Sequence, residues 1–113
     1  MRRGEVWLAN LNPSRGREIG KIRPVLVVQS QELDTDTTPM VVVLPITTKV
    51  IEGLKSFRVA VPARGRLKQQ SQIVTDQPRA LDRSRIVDGP LTALTAEEMA
   101  AVESGLRIVL GLL

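Results

Sequence analysis

The stretch that decides the fold is the one in which a basic loop turns into an apolar strand, Gly16-Arg17-Glu18-Ile19-Gly20-Lys21-Ile22-Arg23-Pro24-Val25-Leu26-Val27-Val28. Its first half is polar and glycine-containing and has no apolar period, which is typical of a flexible loop over a site. An ordinary hairpin loop is the alternative. The second half is rich in valine and, together with Gln29, predicts a strand over 24–29 that is buried on both faces.

Arg23 lies at the boundary between the two halves. Pro24 fixes its own φ and favours an extended backbone at the residue before it. The Arg23 guanidinium is therefore expected to project from the first rung of a strand, next to a mobile loop, where it can bind a phosphate. The alternative is an arginine at the sheet edge that faces water.

The rest of the chain predicts a small sheet followed by a helix. Alternating or apolar runs predict strands at 5–11, 41–46, 57–61, 71–76 and 86–87. A helical turn is expected at 82–85, and Asp88-Gly89-Pro90 predicts a turn. Because Pro45 cannot donate to a central ladder, the end of its strand is expected at an edge or a bulge.

The helix at the end of the chain has a clear start. Thr95-Ala96-Glu97-Glu98 matches a capping box with Thr95 as N-cap. One apolar stripe follows at helical spacing, formed by Met99, Val102, Leu106, Val109 and Leu113. Leu110 and Leu112 widen it, which indicates either a partner surface or a simple core helix.

Composition bounds the chemistry. A chain of 113 residues fits one domain, 1–113. It has no cysteine and no histidine, so catalysis has to use Arg, Lys, carboxylates or hydroxyls. The Asp and Thr residues of 34–39 suggest calcium, but the glycine and the closing glutamate of an EF-hand are missing, so no metal or other cofactor is expected.

Charge is concentrated at the start of the chain. Residues 1–23 contain six cations and two anions, which account for the whole formal excess of +4. A localised basic surface attracts nucleic acid, although a solvated face is the alternative. Aromatic residues make up only 2% of the chain, which disfavours base-stacking surfaces of the RRM or cold-shock type.

No targeting or membrane segment is expected. Gly4-Glu5 follows Met1-Arg2-Arg3 where a leader would become apolar. The longest apolar runs, 40–46 and 108–113, are far shorter than the roughly 20 residues of a membrane span. A cytoplasmic location is therefore expected.

Several short fragments now combine into a pattern that spans essentially the whole chain. They are Arg3-Gly4-Glu5-Val6-Trp7, Leu11-Asn12-Pro13, Gly16-x-Glu18, Arg23-Pro24-Val25-Leu26-Val27-Val28, Pro45-Ile46-Thr47, Asp76-Gln77, Leu94-Thr95-x-Glu97-Glu98-Met99 and Leu106-x-x-Val109-Leu110. In this order they closely resemble the MazF/PemK family of toxin-antitoxin ribonucleases. The resemblance implies a mainly β fold with a C-terminal helix, arranged as an SH3-like barrel. It also implies a homodimer that cuts single-stranded RNA at short sequence motifs without a metal, and that a cognate antitoxin peptide neutralises.

The resemblance also implies site residues. Arg23 and Thr47 match the catalytic arginine and threonine of the family, and Glu18 matches a carboxylate that has a catalytic part in some relatives. Strand-end capping is the alternative for Thr47. Basic and polar residues around these three are predicted to bind RNA: Arg15, Arg17, Lys21, Thr48, Lys49, Gln77 and Arg79.

The chain departs from the family pattern at two places, and two other functions are open. Many relatives have Ser or His in place of Arg17, and often continue Gln-Ile-Arg where this chain has Gln77-Pro78-Arg79, so the cut-site preference does not transfer. A gyrase-poisoning toxin of the CcdB kind shares the fold, but typically ends in Trp-Gly-Ile, whereas this chain ends in Gly111-Leu112-Leu113. A catalytically idle nucleic-acid-binding barrel is the other alternative.

Overall fold

The computed structural model describes residues 1–33, 36–53 and 57–112. The strands within them are β1 (Glu5–Asn10), β2 (Ile22–Val27), β3 (Met40–Thr47), β4 (Arg58–Val61), β5 (Ser71–Val74), β6 (Arg79–Asp82) and β7 (Ile86–Ala93). A 3₁₀ turn (Arg83–Arg85) precedes β7, and helix α1 (Ala96–Leu110) follows it. The strands pair antiparallel in the order β4-β5-β3-β2-β1-β7, and β6 pairs with the first half of β3. The prediction of a mainly β fold with a C-terminal helix is confirmed.

The apolar runs are continuous because both faces of the central strands are buried. Successive side chains of a strand point to opposite faces, and here the two faces belong to two separate clusters. In β2, Leu26 lies in the cluster beneath α1, whereas Val25 and Val27 lie in the other. The strand of 24–29 was predicted to be buried on both faces, and this arrangement confirms it.

Pro45 lies in the interior of the sheet and not at its edge. It is opposite Val25 of β2, so of the two locations predicted for this end of β3, an edge or a bulge, the edge is wrong. On the other side of β3, residues 40–43 pair with β6 and residues 46–47 pair with β5. Pro45 falls between these two segments, where the strand changes partners.

The sheet has one strand more than the sequence predicted, and β7 is longer than expected. β6 was not predicted at all. The predicted turn at Asp88-Gly89-Pro90 is wrong, because β7 runs through these residues with an irregular register against β1. A Cβ on Gly89 would lie 2.5 Å from Cδ2 of Trp7, so the glycine allows the indole ring to pack against the strand.

Helix α1 begins where its sequence predicts. The Thr95 hydroxyl accepts from the backbone N–H of Glu98 at 3.1 Å, and the Glu98 carboxylate accepts from Thr95 N–H at 2.9 Å. The helix ends at Gly111, whose φ is 68°. Val102 is buried in the cluster beneath the helix, with Met99 and Leu106 packed against it, and Leu113 lies outside the described residues.

The path of paired strands is open. Among the described residues β4 and β7 end the path of paired strands, so the closed barrel that the resemblance implies is not seen. The two ends are nevertheless joined by the β4–β5 connection, in which the Arg66 N–H donates to the Leu91 carbonyl at 2.9 Å. No helix of the described part of the chain is long and apolar enough to cross a membrane.

Candidate active site

A groove of about 790 Å³ lies where three connections of the sheet meet. The first is the β1–β2 loop, residues 11–21, the second is the end of β3, and the third is the β5–β6 connection, residues 75–78. The residues that line the groove are Arg17, Glu18, Ile19, Gly20, Arg23, Thr47, Thr48, Lys49, Ile51, Arg58, Asp76 and Gln77. The three residues predicted to be catalytic, Arg23, Thr47 and Glu18, are all among them.

Arg23 is the second residue of β2 and is opposite Ala9 of β1. Its side chain is half-buried, and its Nε donates to the Gly20 carbonyl at 2.9 Å. This bond holds the guanidinium at the foot of the β1–β2 loop. It leaves the two terminal nitrogens to bind a phosphate, because a guanidinium has five N–H donors.

Thr47 is the last residue of β3 and is buried, with Gln72 of β5 as its cross-strand partner. Its hydroxyl oxygen accepts from the Lys49 N–H at 3.1 Å. This is the strand-end cap that was the alternative for Thr47. A hydroxyl that accepts one hydrogen bond keeps its own proton to donate, so the cap is compatible with a hydrogen bond to a substrate oxygen.

Glu18 is exposed near the tip of the β1–β2 loop. Its Oε1 accepts from the Arg15 N–H at 2.6 Å, and its own N–H donates to the Arg15 carbonyl at 3.1 Å. The loop is closed at its base by Lys21, whose N–H donates to Asn12 Oδ1 at 2.8 Å. The carboxylate is therefore presented by a local turn, not by a loose chain.

The residues predicted to bind RNA divide into three groups. Four of them line the groove, namely Arg17, Thr48, Lys49 and Gln77. Arg15 and Lys21 lie on the β1–β2 loop but do not line the groove. Arg79 lines a smaller adjoining cavity of about 350 Å³, which Arg17, Glu18 and Gln77 also line.

Gln77 and Arg79 already have partners on the β1–β2 loop. Gln77 Oε1 accepts from the Ile19 N–H at 3.3 Å. One terminal nitrogen of Arg79 donates to the carbonyls of Leu11 at 3.3 Å and Ile19 at 3.5 Å. The two side chains therefore attach the loop that contains Glu18 to the β5–β6 connection and to the start of β6, a role that the sequence did not reveal.

Two charged residues of the groove were not predicted as site residues. Arg58, at the start of β4, lies near Gln72, and Asp76 is exposed on the β5–β6 connection. Asp76-Gln77 belonged to the family pattern, and that was the signal that could have identified Asp76. Arg58 gave no such signal, because its position depends on the pairing of β4 with β5.

The groove is electropositive. Arg17, Arg23, Lys49 and Arg58 line it together with the carboxylates Glu18 and Asp76. An excess of cations in a concave site attracts phosphodiesters. Among the described residues, no group of His, Cys, Asp or Glu side chains forms a candidate metal site.

Comparison with known proteins identifies the family of this chain. Residues 2–110 match the model of the PemK-like, MazF-like toxins of type II toxin-antitoxin systems. A curated endoribonuclease MazF of Staphylococcus saprophyticus is 35% identical over 113 residues, which is 99% of this chain and 92% of that protein.

Solved structures are similar as well. MazF of Deinococcus radiodurans has a TM-score of 0.79 at 29% identity, covering 96% of this chain and 94% of that one. A MazE-MazF structure from the same organism has a TM-score of 0.74 at 27% identity, covering 96% of this chain and 94% of that one. This chain belongs to the family of PemK-like, MazF-like toxins of type II toxin-antitoxin systems.

Proposed function

We propose that the groove cleaves single-stranded RNA, by attack of a 2′-hydroxyl on the adjacent phosphodiester and without a metal ion. The observation that supports this most is the meeting of Arg23, Thr47 and Glu18 in one concave surface. These residues belong to three separate elements, and their types are those that the reaction needs. As a toxin of this family with 35% identity to a curated endoribonuclease, the chain is an endoribonuclease. The same identity favours the nuclease over the gyrase-poisoning alternative.

Arg23 is the group that holds the scissile phosphate. Charge on the phosphoryl oxygens grows as the 2′-oxygen attacks, and a fixed guanidinium stabilises that charge. The Gly20 carbonyl fixes Nε of Arg23, so little reorganisation is needed when substrate binds. The Thr47 hydroxyl donates a further hydrogen bond to a phosphoryl oxygen.

The reaction also needs a proton acceptor for the 2′-hydroxyl and a proton donor for the leaving 5′-oxygen. A bond forms from O2′ to phosphorus as the bond from phosphorus to O5′ breaks, which leaves a 2′,3′-cyclic phosphate and a 5′-hydroxyl. A guanidinium is a poor base, so the acceptor is a carboxylate. Glu18 and Asp76 both line the groove, and Arg23 is the candidate proton donor.

RNA binding along the groove is assigned to Arg17, Thr48, Lys49 and Gln77, which line it. Arg15 and Lys21 lie on the same loop and contribute positive charge at longer range. Arg79 supports the loop through its bonds to Leu11 and Ile19 carbonyls.

We extend the proposal to partners. The MazE-MazF relative supports a cognate antitoxin that neutralises the chain. Exposed Ile108, Leu110 and Leu112 at the end of α1 support a homodimer, since clustered exposed apolar side chains mark interfaces.

The family match over 2–110 supports treating 1–113 as one toxin domain. The Arg66–Leu91 bond between the two ends of the sheet supports the SH3-like barrel. An RNA substrate supports a cytoplasmic location.

The test is cleavage of a long single-stranded RNA by purified protein in EDTA. Wild type is expected to cut and to leave a 2′,3′-cyclic phosphate, and Arg23→Ala is expected to cut at least about 100-fold more slowly. Arg107→Ala, on the exposed face of α1, is the matched control and is expected to cut like wild type. Intact RNA, or equal cutting by Arg23→Ala, would contradict the proposal.

A further inference from the structure

A second cavity of about 580 Å³ lies beside the groove. Arg23 and Thr48 line both cavities, so the two meet at the guanidinium that is proposed to hold the scissile phosphate. We propose that this second cavity, called the base pocket below, binds the base of a nucleotide next to that phosphate, and that Arg66 and Asp88 read the base edge. The inference rests on the proposed function and adds a substrate subsite to it.

The floor of the base pocket is apolar. Ile46 of β3 and Leu91 of β7 are buried there, together with Leu67 of the β4–β5 connection, and Leu8 of β1 and Pro24 of β2 are half-buried. A phosphate or a free sugar gains little from such a surface, whereas the face of a base buries apolar area against it. The volume is within the range of roughly 300–1,000 Å³ that small-molecule sites occupy.

The rim of the base pocket provides donors and an acceptor close together. Arg66 and Asp88 form an ion pair across it, and both side chains are about half exposed. Arginine donates to the O6 and N7 atoms of guanine, and a carboxylate accepts from exocyclic amino groups. The pair can therefore exchange its mutual hydrogen bonds for bonds to a base edge.

The rim is also fixed by backbone hydrogen bonds. The Arg64 and Leu67 N–H groups donate to each other's carbonyls at 2.9 Å, and the Arg66 N–H donates to Leu91 of β7 at 2.9 Å. Asp88 belongs to β7 as well. Arg66 and Asp88 are thus attached to one rigid frame, which is what a specificity site requires.

Charge favours a nucleotide over a neutral ligand. Arg23, Arg66 and Lys68 line the base pocket, with Asp88 as the carboxylate. Single-stranded RNA is read by bases that are splayed out into pockets while the backbone follows basic side chains. An RNA that passes over Arg23 places its phosphates along these cations and one flanking base over the apolar floor.

The test is cleavage of an RNA library randomised around the cut site, with the ends sequenced. Asp88→Asn and Arg66→Gln are each expected to reduce base discrimination at one flanking position by about tenfold. Glu103→Gln is the matched control, because Glu103 also pairs with an arginine, Arg3 at 2.8 Å, but lines neither cavity. It is expected to keep the wild-type preference.

If Asp88→Asn and Arg66→Gln both cut RNA with the wild-type base preference at every position, the base pocket is overturned and the proposed function is not. Failure of wild type to cut would overturn the proposed function and the base pocket together. A change in the sedimentation of the variants with unchanged base preference would assign the cavity to a second copy of the chain, and would also overturn the inference.

A binding measurement keeps the inference testable if a variant fails to fold. Wild type is mixed with an RNA that cannot be cut because it has a 2′-deoxy sugar at the scissile position. The methyl resonances of Leu67 and Leu91 are expected to shift. The same RNA without the flanking base should leave them unshifted, and equal shifts with both RNAs would refute the base pocket.

Discussion

The ion pair at the start of α1 gives a quantitative prediction of stability. The two terminal nitrogens of Arg64 donate to the Glu98 carboxylate at 2.6 and 2.8 Å. Glu98 is also the capping-box residue that accepts from the Thr95 N–H. One carboxylate thus joins the helix start to the β4–β5 connection, and Glu98→Gln removes its charge while nearly keeping its shape.

The hydrogen bond from Arg64 is the largest cause that lowers the pKa of Glu98, from its ordinary 4.5 to about 2. A lowered pKa stabilises the fold above the unfolded value, and the stabilisation is lost as pH falls through the folded value. The shift corresponds to an upper limit of about 3 kcal/mol at pH 7. Roughly half is lost by pH 3, since protonation is then well advanced in the unfolded chain and beginning in the folded one.

The assay is urea unfolding followed by the fluorescence of Trp7, at one protein concentration because a dimer unfolds in a concentration-dependent way. Glu98→Gln is expected to lower the unfolding free energy by about 2–3 kcal/mol at pH 7, and by clearly less at pH 3. Glu97→Gln, in the same helical turn but exposed, is the control and should cost only a few tenths of a kcal/mol. If Glu98→Gln lowers the unfolding free energy by the same amount at pH 7 and at pH 3, the reasoning is refuted.

Three further predictions concern the groove. In the first, Glu18→Gln and Asp76→Asn are compared by single-turnover cleavage at a series of pH values. Only the variant that lacks the proton acceptor should lose the fall in cleavage rate at acidic pH. If both variants keep that fall, neither carboxylate is the base. Arg79→Ala should lower kcat about tenfold and leave KM within about threefold, because Arg79 holds the loop carbonyl of Ile19; a large rise in KM alone would instead assign Arg79 to RNA binding. The affinity for uncleavable RNA should fall steeply with salt, as phosphate contacts release counterions, and a flat dependence would argue against the basic groove.

Local chemistry determined the start of the helix and the strand that follows Pro24. The capping box at Thr95 and Glu98 involves residues three apart in the chain, so its signal is complete in the sequence. The valine run after Pro24 likewise predicts a strand buried on both faces, because only a sequence apolar on both sides of the pleat fits between two clusters. The resemblance to the family identified Glu18, Arg23 and Thr47 as the candidate catalytic residues.

The predictions that were wrong concern features that depend on contacts between residues distant in the chain. Gly89 and Pro90 are typical of a turn, yet they lie inside a strand that pairs with β1. The glycine leaves room there for the ring of Trp7, a residue of β1. Pro45 was expected at an edge or a bulge, and no local signal shows that its strand changes partners at that residue.

The sequence by itself therefore determined the residue types of the site, the buried strands and the capped helix. Only the tertiary structure decided that Arg58 and Asp76 join the groove, that Gln77 and Arg79 contact the loop, and that a second cavity opens beside Arg23. The physical reason is one of range. Propensity and periodicity act over a few residues, whereas the location of a side chain in a groove depends on strand pairing between residues that are 10 to 27 positions apart.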